Sequence, residues 1–143
     1  LAPIVGLEGQ PIGLLTLTGG PNGVLLQVKV SAGGLTPGWH GLHLHQVGDC
    51  SDVGEYRKSG GHLGMLAGGH GLLNPDGPKA GDLPNIFAFS DGSANMEAFS
   101  TLFDLDLVRD ADGAALIIHA ERDDHLSQPI GGAGARVACA AIR

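Results

Sequence analysis

The chain has 143 residues, 43% of them hydrophobic and 16% charged, with 25 glycines, 7 histidines and a formal net charge of −7. That balance excludes nucleic acid as a partner, because phosphate neutralisation needs clustered Lys and Arg and only eight are present. The absence of helical apolar spacing, together with so much glycine, favours an all-β chain of strands, turns and ordered loops that fold as one domain over residues 1–143.

In chain order, residues 24–31 show a period of two that turns one face inward, residues 12–18 read as their partner strand, and Gly19-Gly20-Pro21-Asn22-Gly23 between them supplies the turn of a hairpin. Residues 41–47 form the next strand. In it His43 and His45 share one face and Leu42 and Leu44 the other, so two imidazoles stand ready to hold one metal ion from a rigid backbone. Two surface histidines on an edge strand are the plainer alternative. Strands follow at residues 86–89, 94–99, 115–119 and 136–141, with Asp91-Gly92 and Asp112-Gly113 as turn signals. Two long segments, residues 48–85 and 120–135, lack strand patterning. They carry His62, His70, Asp82 and Asp123, and structureless loops of that length in a compact domain usually serve function. Asp49, Asp76, Asp91, Asp110, Asp112 and Asp124 read as turn or solvated residues.

No run approaches the roughly 18 apolar residues of a membrane span, so no membrane partner is expected. Leu1 is not preceded by a basic start or an apolar leader, and we expect any signal peptide to have been removed. Cys50 and Cys139 lie far apart and outside any C-x-x-C motif; one long-range disulfide in an oxidising compartment is the simplest use, two buried thiols in a cytosolic protein the other.

Taken jointly, Gly41-Leu42-His43-Leu44-His45, Gly48-Asp49-Cys50, Gly60-Gly61-His62, Gly81-Asp82-Leu83-Pro84, His119, Asp123-Asp124 and the run from Gly131 to Cys139 resemble the copper,zinc superoxide dismutases, especially the bacterial periplasmic branch. The resemblance implies an eight-stranded Greek-key β-sandwich or flattened barrel with two long functional loops, its first strand within residues 1–9. It implies copper held by His43, His45, His62 and His119, and zinc held by the shared His62 with His70 and Asp82. It further implies Asp123 as the outer carboxylate linking His43 to His70, Arg136 as the cation beside copper, His62 as the proton shuttle, His40 as a loop brace and Cys50–Cys139 as the disulfide. His125 has no counterpart role and is expected in solvent. The implied substrate is superoxide, the compartment periplasmic or otherwise extracytoplasmic, and the resemblance allows a homodimer.

Two departures stand out. The family's remaining zinc histidine falls nine residues after His70 and three before Asp82, where this chain has Lys79. A protonated ammonium repels a dication, so the zinc site is expected to be weakened or lost; alternatively the ammonium fills the place and neutralises Asp82. Leu63-Gly64-Met65 stands where the family usually has an aromatic and Asn-Pro. A copper-buffering homologue without turnover and a dinuclear hydrolase are the competing functions, the latter disfavoured because Val47, not a carboxylate, follows the His-x-His pair.

Overall fold

The computed structural model describes residues 1–64 and 69–143; Met65 lies outside the described residues. Among the described residues nine strands run in chain order: β1 (Ala2–Val5), β2 (Pro11–Gly20), β3 (Gly23–Val30), β4 (Gly38–His40), β5 (Leu42–His45), β6 (Ile86–Ala88), β7 (Ala94–Ser100), β8 (Ala114–His119) and β9 (Arg136–Ile142). Seven form one curled sheet in the order β5-β8-β9-β1-β2-β3-β7, and β4 pairs with β6 in a small second sheet. The path is a Greek key: β1, β2 and β3 are successive neighbours, β5 crosses to the far edge, and β7 returns to pair with β3.

The expected β2–β3 hairpin closes between Gly20 and Gly23, leaving Pro21 and Asn22 as its two-residue turn. The expected strand over residues 41–47 shortens to β5, and the unforeseen β4 before it raises the count among the described residues from eight to nine. Gly41 lies between β4 and β5, turned so that its N–H donates to Glu121 O while its own carbonyl accepts from His119 N. A Cβ at Gly41 would sit 2.8 Å from that of Ala133, so only glycine permits this approach. One turn of helix, α1 (Leu105–Val108), was not foreseen; Asp104 caps it by accepting from Leu107 N.

Parity decides where chemistry can sit. Leu42 and Leu44 of β5 and Leu116 and Ile118 of β8 point into the main core, which includes Ile4, Leu26, Val28 and Ile86. The opposite parity puts His43, His45 and His119 on the outer face of the same sheet, next to Ile117 and Ala115, which pack in a separate cluster with Tyr56 and Cys139. Both faces of β8 are therefore covered and all six of its residues are buried. The outer cover is the long segment after β5, riveted by the Cys50–Cys139 disulfide, which closes a sequence separation of 89. It is also stitched to β5 by single bridges, His45 with His62 and His43 with Asp82.

Candidate metal centre

His45 and His119 use one ring nitrogen each on the backbone: Nδ1 of His45 donates to Gly60 O at 2.8 Å, and Nδ1 of His119 donates to Gly134 O at 3.0 Å. His43 Nε2 donates to Asp123 Oδ2 at 2.6 Å. These bonds fix the tautomers, so His43 Nδ1, His45 Nε2 and His119 Nε2 keep lone pairs, and all three atoms are buried without a hydrogen-bond partner. His62 differs from them, since neither of its ring nitrogens has a hydrogen-bond partner.

Unpaired buried polar atoms are costly, and these converge. Ligand atoms of His43, His45, His62 and His119 lie within 4.8 Å of one another, as do those of His43, His62, His70 and Asp82. The second group is held as tightly as the first. Asp82 Oδ2 accepts from Gly71 N and Lys79 N, each at 2.8 Å, which leaves Oδ1 to face His70 Nδ1 at 2.6 Å and His62 Nδ1 at 3.7 Å. His70 Nδ1 and Asp82 Oδ1 thus face each other as a close ion pair.

Asp123 joins the groups, taking His43 Nε2 on Oδ2 and His70 Nε2 on Oδ1 at 3.1 Å. Gly131 makes the junction feasible: at φ +67° a Cβ there would come within 1.8 Å of Asp123 Oδ1. Arg136 opposes His119 across the β8–β9 ladder, at an irregularity in the register. Its Nη1 donates to Tyr56 O at 2.8 Å and Ser59 Oγ at 2.9 Å, and with Arg57, Glu55 and Gly134 it lines an open cleft.

Every residue singled out from sequence for this site is thus gathered at one place, and His40 does brace the loops, bonding through its two nitrogens to His119 O and Thr36 O. Lys79 is buried, with its backbone N–H on Asp82. His125 corrects the expectation of solvent exposure. Its side chain is only 18% exposed, because a left-handed turn at φ 64° tucks the ring beneath Asn85 while its N–H donates to Asp123 Oδ1. Asn85, Asn74 and Gln128, which hold the backbones of Asp123 and His70, were missed; side-chain amides in loops leave no periodic signal.

Residues 12–142 match the sequence profile of the copper/zinc superoxide dismutases. The chain belongs to the copper/zinc superoxide dismutase family. It is 48% identical over 143 residues to the Cu-Zn superoxide dismutase of Caulobacter vibrioides, covering 95% of this chain and 80% of that protein. It is 36% identical over 149 residues to Cu-Zn superoxide dismutase 2 of Aquifex aeolicus, with 99% and 85% covered. Among solved structures, a SOD-like protein from Bacillus subtilis superposes with a TM-score of 0.88 at 31% identity, covering 99% of this chain and 97% of that one. The Cu/Zn superoxide dismutase from Brucella abortus gives 0.79 at 27%, with the same coverage. Membership makes the chain an oxidoreductase and implies copper and zinc. The donors fit both: four imidazole nitrogens suit copper, and two nitrogens with a carboxylate oxygen suit zinc.

In the metal-free protein, this cluster carries a pH signature. Burial pushes His62 down to about 3 and His119 to about 4, from an ordinary value of 6.5, so below pH 6.5 the unfolded chain takes up protons that these rings refuse. His70 runs the other way. Burial opposes its charge, but the carboxylates of Asp123 and Asp82 outweigh it and raise the ring to about 9, so its stabilisation is complete below pH 6.5 and is lost as pH rises through about 9. Asp82 and Asp123 sit below the usual carboxylate value of 3.8, since hydrogen bonds overcome their burial, and act only in stronger acid. Thermal melts of the metal-free protein are expected to be highest near pH 6.5 and lower at both pH 5 and pH 9, each by on the order of 1–3 kcal/mol. A flat profile between pH 5 and 9 contradicts this assignment.

Proposed function

We propose that the chain disproportionates superoxide to O2 and hydrogen peroxide at a copper ion held by His43 Nδ1, His45 Nε2, His62 Nε2 and His119 Nε2. A zinc ion would be held by three protein atoms only, His62 Nδ1, His70 Nδ1 and Asp82 Oδ1, and more weakly than a four-ligand site because Lys79 stands at the place of the fourth. The observation that carries this reading is the doubly unpartnered His62 ring, whose Nδ1 faces Asp82 Oδ1 while its other nitrogen joins the four-histidine group. Residues 65–68, Met-Leu-Ala-Gly, contain no histidine, cysteine or carboxylate to replace the absent ligand.

Copper, when bound, would supply one-electron exchange with superoxide. The chain does the rest. Asp123 fixes the tautomer and direction of His43 and, through the same carboxylate, of His70. His62 Nε2 is the atom to hold and release a proton for the nascent peroxide, and burial keeps that proton easily surrendered. Arg136 sets a local positive charge at the cleft, against a chain whose overall −7 repels an anion. Its orientation is supported by Tyr56 O and Ser59 Oγ, so the disulfide-bearing loop aims it.

Arg136→Ala is accordingly expected to lower turnover at limiting superoxide roughly tenfold at low ionic strength, with the deficit shrinking as salt screens the field. A salt-independent loss, read from rates across an ionic-strength series, assigns Arg136 to some other task. Lys79→His is expected to tighten zinc binding by roughly tenfold or more, since supplying a ligand should exceed what supplying an outer hydrogen bond does. Chelator competition measures it, and equal affinity in the two proteins contradicts the assignment of residue 79.

The deciding experiment pairs metal analysis of copper-loaded protein with a superoxide assay. One copper per chain with turnover supports the dismutase; copper without turnover identifies a buffering protein. The disulfide supports a periplasmic or otherwise extracytoplasmic site of action.

A further inference from the structure

The chain lacks the histidine expected at residue 79, yet His70 is 0% exposed and aimed at Asp82. Its backbone is gripped by one side chain from the opposite loop. Gln128 Oε1 accepts from His70 N at 2.9 Å, and Gln128 Nε2 donates to His70 O at 2.6 Å. This reciprocal pair is what a neighbouring β-strand would provide, delivered across 58 residues by an amide that also donates to its own loop at Leu126 O. Asn74 Nδ2 adds a second donor to His70 O at 2.9 Å.

We propose that Gln128 is a positioning residue for the zinc ligand His70: its side-chain amide pairs with both backbone groups of His70 and presets that ring where one protein ligand has been lost. This rests on the three-ligand zinc site proposed above. A three-ligand site has less coordination energy with which to order a loop, so the ordering has to come from the protein, and preorganised ligands lose less freedom on binding. Gln128 suits the task because it touches no metal-ligating atom. Its own side chain lies largely at the surface, so removing it leaves both hydrophobic clusters intact.

The test compares the full-length parent with Gln128→Ala and with Ser127→Ala, a control on the same loop whose hydroxyl serves Asp124 and not His70. In metal-free protein, exchange of the His70 amide hydrogen should be about tenfold faster in Gln128→Ala and unchanged in Ser127→Ala. Zinc affinity by chelator competition should fall about 10- to 100-fold in Gln128→Ala, with a matching change in the visible spectrum of cobalt placed in the site, and stay at the parent value in Ser127→Ala. Equal exchange in parent and Gln128→Ala overturns the proposal, as does equal zinc affinity, or an equal weakening in the control. A parent that takes up no zinc overturns the three-ligand reading instead, and the exchange comparison then decides for or against the Gln128 clamp by itself.

Discussion

His45→Ala is expected to abolish copper retention and superoxide turnover together. His45 supplies Nε2 from the last position of a strand in which every residue is buried, and that atom has no hydrogen-bond partner of its own. The four-histidine group spans three separate chain segments, and removing one ring leaves three donors and a void beside Gly60 O, which loses its hydrogen bond. Removing an outer partner of a metal ligand commonly costs 10- to 100-fold in affinity or activity; removing a ligand itself should exceed about 100-fold. The fold should survive, because the main core contains Leu42 and Leu44 and none of the histidines. Copper stoichiometry after loading and dialysis, read beside the rate of superoxide decay, measures both losses. Full copper with parental turnover would remove His45 from the site and the proposed chemistry with it.

Replacing both cysteines by serine should produce the largest fall in stability. In the chain-entropy description, a bridge closing a separation of 89 residues restricts the unfolded chain by about 4–5 kcal/mol. For a chain of this size that corresponds to a drop in melting temperature of about 15 °C. A second effect should accompany it. Cys139 packs with Tyr56 and Ile117 on the outer face of the sheet, and the loop that the bridge pins there supplies Tyr56 O and Ser59 Oγ to Arg136. Loosening it should therefore reproduce part of the salt-sensitive rate loss of Arg136→Ala, even well below the melting point. Calorimetry and the ionic-strength series together test the pair of effects; a drop of under about 3 °C with an unchanged salt response excludes both.

The strands were legible where side-chain parity was strict, as in residues 24–30, and so was the His43/His45 face, because a period of two is a local signal. The split at Gly41 was not, since it depends on Glu121, His119 and Ala133 arriving from a distant loop. The ligand set was readable only as a resemblance across motifs; nothing local in the residues around His62 or Asp82 says that isolated bridges lay them beside β5. His125 was misplaced for the same reason: its surroundings, Asn85 and Asp123, are assembled by folding. The amide contacts of Gln128 have no sequence signature, because a glutamine in a loop is ordinarily solvated.

The metal-facing and core-facing sides of β5 and β8 are different surfaces of one sheet, built from alternate residues. Natural variation can therefore rewrite the outward set one position at a time without disturbing what makes the barrel fold. The alternation makes a scaffold on which outward residues could be exchanged by design to select other ions, while the apolar interior is left alone.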